Sequence, residues 1–310
     1  MCGIVGYLDR SGGDQAPIGD ILVQMLSTLS CRGPDSAGVA IYGESQEPNL
    51  LLRIKLGEQG DFREEGAELA DRIGGIAPIV KQDVFPGYLR LVLGPLTDAE
   101  VLIDRIQRLS LDLELVSAGR QMEIIKQVGS PANLDRSYSV SSLKGTHGLG
   151  HTRLSTESRV DLSHSQPFWA QGVPDLATVH NGHITNYHKL RRQYEQRGVR
   201  FFTENDSEII GIYLRDQLSR GHTLEKALSN SLDDFDGSFC YLAATRDSLA
   251  YVKDRFALKP LTVAESANWV AIATEEIALR TSLPGDFEVH EPGAREVALW
   301  SVPGLAVETT

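Results

Sequence analysis

The chain has 310 residues, 41% of them hydrophobic and 23% charged, a balance that describes a globular protein with a sizeable core. Its net charge of −12 repels phosphate backbones and argues against a nucleic-acid partner. No apolar run approaches the roughly 20 residues that span a bilayer, and "GIVGYL" is too short and lacks the basic lead-in of a signal peptide, so no membrane partner and a cytoplasmic location are expected.

In chain order, residues 2–8 read as a strand. Ile18, Ile21, Leu22, Met25, Leu26 and Leu29 fall at helical spacing over 18–30. "CRGPDSAGVAIY" is a Gly/Pro turn followed by a strand ending at Tyr42. The stretch from about Gly43 to Gly119 differs in character. It holds a polar helix at 62–73, a strand at 88–93, a helix from Thr97 and a strand at 111–117, which together suggest one small β-α-β unit. Thr97 and Glu100 have capping-box spacing, and Leu102, Ile106 and Leu109 form one apolar face. A strand at 122–129 and a helix begun by Pro131 follow.

From residue 145 the signals are dense. "THGLGHTRLST" is a strand running into a loop, and "DLATVHNGHITNYHKLRRQYEQRG" is a strand, a turn and a helix ending at Gly198. "TENDSEIIGIYLRDQLSRG" opens a helix with Asp206 and Ser207 near its N-cap. "GSFCYLAATRDSLAYVKDR" is a hairpin, and "WVAIAT" and "AREVALWSV" are further strands. Strands dominate both ends, with amphipathic helices between them, as in two sheets faced by helices.

The three cysteines, Cys2, Cys31 and Cys240, are odd in number and never in CxxC spacing, which argues against a disulfide framework and a zinc site. His147 and His151 are four apart where a turn runs into a strand, and they are not read as a metal site. Cys2 stands apart by position. With Met1 removed, it carries a thiol and an α-amine of reference pKa about 7.7–8.0, so one residue supplies both nucleophile and base. The bland alternative is a small buried hydrophobe.

Other segments have similar double readings. "RGPDSAG" is a plain turn, or a turn whose Arg32 orients the N-terminus. Arg153 in "GHTR" is a surface charge or a clamp for a carboxylate. "HNG" is a tight turn, or an oxyanion hole made of the Asn181 amide and the Gly182 backbone N–H. Asp206 is a helix cap, or a holder of an ammonium group.

In this order the segments resemble the N-terminal-nucleophile, or class II, glutamine amidotransferases. "MCGIVGY" is similar to that family's N-terminus and "RGPDSAG" to its arginine-bearing turn. "GLGHTRLST" resembles its glutamine-carboxylate loop, "HNGHITNY" its oxyanion segment, and "TENDSEII" the segment that holds the glutamine amino group. "DRFALKPL" is similar to a closing D-x-x-G-x-[KR]-P-L pattern, with Ala257 where glycine is usual. The resemblance covers roughly 2–42 and 120–300. "TRLSTES" departs from the common "TRWATHG", placing Leu154 and Glu157 where tryptophan and histidine are frequent. That departure, the long segment at about 53–119, "HSQPFW" and "RFFTENDSE" resemble one branch. It is the stand-alone amidotransferase subunit of glutamate-synthase-like complexes, including N-methylglutamate synthase.

The resemblance implies an α+β, four-layer αββα N-terminal-nucleophile fold spanning 2–310, with a small inserted unit at about 53–119. It implies that Cys2 attacks glutamine, that Asn181 and Gly182 hold the oxyanion, that Arg153 and Thr156 bind the α-carboxylate, and that Asp206 binds the α-ammonium. Arg32 is expected to order the nucleophile's loop. It further implies hetero-oligomerisation with a synthase subunit that carries FMN and an iron–sulfur cluster, this chain holding no cofactor and no metal. The inserted segment supplies none of these residues, and its β-α-β unit near 88–117 is expected to contact that subunit or a neighbouring copy of this chain. Two other readings are open: an amidase of the same fold acting on another γ-glutamyl amide, and a non-catalytic glutamine-sensing subunit.

Overall fold

The structure is a computed structural model that describes residues 2–95, 98–110, 112–155 and 159–304. Its strands are β1 (Gly3–Asp9), β2 (Ser36–Tyr42), β3 (Leu50–Lys55), β4 (Ile79–Phe85), β5 (Tyr88–Leu93), β6 (Leu115–Gly119), β7 (Met122–Val128) and β8 (His147–Arg153). They continue with β9 (Phe168–Trp169), β10 (Ala177–Ile184), β11 (Gly237–Thr245), β12 (Ser248–Lys253), β13 (Thr262–Glu265), β14 (Trp269–Ala273), β15 (Val289–His290) and β16 (Val297–Ser301). The helices are α1 (Ile18–Thr28), α2 (Phe62–Gly74), α3 (Ala99–Gln107), α4 (Pro131–Tyr138), α5 (Tyr187–Gln196), α6 (Glu208–Ser219), α7 (Leu224–Asp234) and α8 (Glu276–Ser282).

Among the described residues the strands form three sheets, ordered β15-β13-β14-β1-β8-β2-β7, β16-β12-β11-β10-β9 and β4-β5-β3-β6. The first two stack face to face, with β1 and β8 against β10 and β11. Helices α1, α4 and α8 cover the outer face of the first sheet, and α6 and α7 cover that of the second. This is the expected four-layer αββα arrangement. Strand β1 is buried on both faces from Gly3 to Leu8, as a strand between two layers must be. Ile18, Leu22, Met25 and Leu26 of α1 are buried against the first sheet, as the helical spacing of the sequence requires.

The third sheet corrects the expectation of one β-α-β unit. Residues 50–119 run β3-α2-β4-β5-α3-β6, an antiparallel β-α-β-β-α-β plait. Strand β5 falls where the sequence puts it. Strand β4 escaped notice because it is an edge strand whose residues alternate poorly and stay half-exposed. Strand β3 reads as an apolar run interrupted by Arg53, yet Arg53 is only 1% exposed. Helix α3 starts two residues later than expected, capped by Asp98, whose carboxylate accepts from Val101 N at 3.1 Å. Thr97 lies outside the described residues.

The plait is not a detachable appendage. Its apolar residues belong to the same buried cluster as the two central sheets. Arg53 and Arg90 both pair with Glu123 of β7, the Arg90 contact at 2.9 Å. Burial pushes the Glu123 carboxyl up, but Arg53 and Arg90 outweigh that and hold it below the usual carboxylate range. The Arg53 guanidinium also lies 5.0 Å from the Phe85 ring centroid and 5.3 Å from that of Tyr88.

Ala257 has φ 51°, in the left-handed region. The glycine usual at that place in the resembled pattern thus answers a backbone requirement that alanine meets under strain. Ala257→Gly is expected to raise unfolding free energy by up to about 1 kcal/mol, the relieved strain less glycine's extra chain entropy. An unchanged or lower urea midpoint would contradict this. Glu123→Ala leaves Arg53 buried without its carboxylate and is expected to cost roughly 3–5 kcal/mol in the same measurement.

Candidate active site

Cys2 sits one residue before β1, next to the Gly3–Thr152 pair that aligns β1 with β8. The strand is held there from its other side too. Ile4 N donates to Thr274 Oγ1 at 2.8 Å, and Thr274 N donates to Ile4 O at 2.9 Å. The Cys2 carbonyl accepts from Arg32 Nε at 3.4 Å and from Asn181 Nδ2 at 3.3 Å. Three segments far apart in sequence therefore meet at the Cys2 peptide. Arg32 is also paired with Glu275, the residue before α8.

The Cys2 thiol contacts the Leu154 carbonyl at 3.9 Å. Burial pushes the thiol up; the Leu154 contact and the Arg153 guanidinium pull it down, and the Asp206 carboxylate adds to the rise. The net shift is upward, so the thiol needs a base to become a nucleophile at neutral pH. Arg153 and Asp206, the two groups expected to read opposite ends of an amino acid, both lie within electrostatic reach of that sulfur.

Asn181 and Gly182 lie inside β10, paired with Cys240 and Phe239 of β11, and not in a tight turn. The Asn-Gly signal therefore marks something other than a hairpin. Gly182 has φ 130°, and a Cβ there would run into the Ser238 carbonyl oxygen. Only glycine fits, and the constraint fixes the backbone beside the Asn181 amide.

Arg153 ends β8 and donates from a guanidinium nitrogen to the Arg159 carbonyl at 2.8 Å. Burial lowers its pKa, partly offset by Cys2, Asp161 and Asp35. Gly33 crosses close by; a Cβ on it would lie 2.5 Å from Arg153 N. Asp206 does not cap α6. Its carboxylate accepts from Ile184 N at 2.9 Å, tying the start of α6 back to the end of β10. Thr156, expected to assist Arg153, and Glu157 lie outside the described residues.

Behind the Asn181 strand is a polar network that the sequence did not announce. His180 Nδ1 bonds Ser207 Oγ at 2.8 Å, and the Gln166 side chain bonds the His180 backbone at both N and O, at 2.6 and 3.2 Å. His151 and His180 are fully enclosed, and burial lowers both pKa values, that of His151 to about 3. Both rings are neutral at physiological pH. His147 stacks on Tyr42 and bonds the Thr245 carbonyl at 2.7 Å. Among the described residues, no group of three or more His, Cys, Asp or Glu could hold a metal ion, and no helix is long and apolar enough to cross a membrane.

Comparisons with known proteins bear on the family of the chain. A glutamine amidotransferase domain model matches residues 151–281. A protein of Methanothermobacter thermautotrophicus, provisionally assigned as a glutamine amidotransferase, is 38% identical over 94% of this chain and 100% of its own length. The chain belongs to the glutamine amidotransferase family. The amidotransferase is also 34% identical to the glutamine amidotransferase-like protein GlxB of Rhizobium meliloti, over 97% of this chain and 98% of that one. Among solved structures, the glutamine phosphoribosylpyrophosphate amidotransferase of B. subtilis superposes with a TM-score of 0.62 at 20% identity. That match covers 96% of this chain and 47% of the B. subtilis enzyme, and it shows the shared N-terminal-nucleophile fold.

A cleft of about 490 Å³ between α3 and the stretch around Arg200, Phe202 and Arg215 shares no residue with the Cys2 cluster. The three thiols are expected to differ in reactivity. Cys31 is exposed and Cys2 half-buried, whereas Cys240 is buried and its thiol is pushed up to about 12. Iodoacetamide at pH 8 should label Cys2 and Cys31 in the native protein and reach Cys240 only in denaturant, as read by peptide mass spectrometry. Early labelling of Cys240 would contradict the burial.

Proposed function

We propose that this chain is a glutaminase subunit that hydrolyses glutamine to glutamate and delivers the nitrogen to a separate synthase subunit of the glutamate-synthase-like type, with N-methylglutamate synthase the specific candidate. The single observation that supports it best is the convergence of Arg32 and Asn181 on the Cys2 carbonyl, with Arg153 and Asp206 both in reach of the Cys2 sulfur.

On this reading Met1 is removed, and the freed α-amine of Cys2 takes the thiol proton. The Cys2 sulfur attacks the glutamine carboxamide carbon, forming the C–S bond while the carbonyl oxygen becomes an oxyanion. The Asn181 amide and the Gly182 N–H hold that charge, each donor contributing about 2.7–4 kcal/mol. The C–N bond then breaks, the amine returns its proton to the departing ammonia, and water hydrolyses the thioester. Arg153, with Thr156, holds the substrate carboxylate, and Asp206 holds its ammonium. Arg32 positions Cys2 and does not touch the reacting carbon. Flavin and iron–sulfur chemistry belong to the partner. Residues from about 53 to 119 are read as an insertion in a domain that otherwise spans 2–310.

The reading separates from its rivals by substrate and by acceptor. Glutamine should be turned over in preference to γ-glutamyl dipeptides, because Arg153 and Asp206 together read a free amino acid. A purified complex should transfer nitrogen when offered glutamine, glutamate, methylamine and 2-oxoglutarate in turn; the acceptor consumed names the synthase. A chain that binds glutamine without releasing ammonia, alone or in its complex, would favour the sensing role.

Four substitutions test the roles. Cys2→Ser should abolish ammonia release in a folded protein whose wild type, by intact mass, lacks Met1; full activity with Met1 retained would remove the amine as base. Arg153→Ala and Asp206→Ala should each raise the KM for glutamine, since each deletes a charge-assisted contact of roughly 1.5–3 kcal/mol. Asn181→Ala should instead lower kcat, because its contact tightens in the transition state; an effect confined to KM would end the oxyanion assignment.

A further inference from the structure

The stretch from Asp161 to Gln166 joins the two halves of the proposed glutamine site. On one side it follows Arg159, whose carbonyl accepts from the Arg153 guanidinium at 2.8 Å. On the other, the His164 carbonyl accepts from Asn205 Nδ2 at 3.3 Å, and Gln166 Nε2 donates to Ser207 Oγ at 3.0 Å. Asn205 and Ser207 flank Asp206. The stretch is braced internally: Asp161 accepts from His164 N at 2.8 Å, and Ser165 Oγ donates to the Asp161 carbonyl at 2.7 Å.

What grips this stretch from outside is the plait. Lys55, the last residue of β3, donates to Ser163 Oγ at 2.6 Å, and Ser163 Oγ donates to Glu114 Oε2 at 2.5 Å. Glu58 accepts from Leu162 N at 2.7 Å. Lys55 and Glu114 are 19% and 14% exposed at the side chain, and Lys55 stands 3.9 Å from both Glu58 and Glu114. The three residues come from one end of the plait, where Lys55 N also bonds the Glu114 carbonyl at 3.0 Å. A serine hydroxyl that both accepts from an ammonium and donates to a carboxylate is held in one orientation by charge-assisted bonds.

We propose that Lys55, Glu58 and Glu114 are positioning residues for glutamine: they fix residues 161–166, and through them the spacing between the group that takes the substrate carboxylate and the group that takes its ammonium. This rests on the glutaminase reading above. The plait is then part of the substrate site at one remove, and whatever binds the plait can alter glutamine affinity without touching Cys2.

The mechanism predicts a split in kinetics. Arg153 and Asp206 hold groups of glutamine that do not react, so loosening their spacing weakens ground state and transition state alike. In the full chain, Lys55→Met should raise the KM for glutamine about tenfold and leave kcat within about twofold, and amide hydrogen exchange should quicken at 162–166. Lys55→Arg, which can still donate to Ser163, should restore the wild-type KM. Ser163→Ala, which deletes one hydroxyl from the junction and is tolerated even if Lys55→Met folds poorly, should reproduce the KM effect. Faster exchange at 162–166 with KM unchanged would overturn the proposal, as would a fall in kcat at constant KM. Failure of the glutaminase reading shows itself separately: wild-type protein would then release no ammonia from glutamine before any plait variant is made.

Discussion

The site depends on where β1 stands. A residue next to the chain terminus is ordinarily the least ordered part of a protein. Here Cys2 is followed immediately by a strand at the centre of a seven-stranded sheet, hydrogen-bonded to β8 on one side and β14 on the other. The register also sets the company Cys2 keeps. Pairing Gly3 with Thr152 brings residue 2 to the end of β8, where Arg153 and the Leu154 carbonyl are. A slip of one residue would turn Ile4, Leu8 and the rest of the buried set to the wrong layers, so burial of the strand enforces the position of Cys2.

The second sheet completes the site from the opposite layer. Strand β10 faces β1 and β8, and Asn181 reaches across to the Cys2 carbonyl. Next to it the backbone at Gly182 leaves the conformations open to other residues, with a φ of 130°. Arg32 arrives from the turn that precedes β2, a strand of the same sheet as β1, and Glu275 holds it from the start of α8. Sequence separations of 30, 179 and 243 residues are spanned by the contacts Arg32–Cys2, Asn181–Cys2 and Arg32–Glu275. Each is carried by an element anchored in the apolar cores, so the polar site needs little order of its own.

The sequence disclosed those elements whose local signals and tertiary roles coincide. Helix α1 has a buried face at regular spacing, and β5, an interior strand of its sheet, was legible to the residue. The residues proposed for chemistry stood out through the ordered resemblance of their segments, while their local signals misled: Asn181–Gly182 is a hairpin dipeptide that the structure leaves inside β10. Asp206 is another, a cap by type that instead bonds Ile184. What stayed hidden was long-range and polar. Nothing local marks Glu275 as the partner of Arg32, or Gln166 and Ser207 as supports of His180. Edge strand β4 was missed because the outer strand of a plait is asked to bury little.

The plait illustrates what a buried ion pair can and cannot do. Arg53, at 1% exposure, gives up more hydration than one carboxylate returns, so the Arg53–Glu123–Arg90 group is a weak source of stability against a well-packed apolar alternative. Its geometry is nonetheless demanding. A guanidinium ringed by Phe85, Tyr88 and Tyr138 has one direction in which to find its counter-charge, and that direction is Glu123 on β7. Apolar packing alone would tolerate small rotations of the plait on the main body. A paired charge in a low-dielectric seam does not, because a shift that breaks it strands the ion. The pair therefore fixes the angle at which β3 crosses β7, and with it the place where the far end of β3 delivers Lys55 to Ser163. The same strand carries the residue that orients the plait and the residue that reaches Ser163, two positions apart on one face.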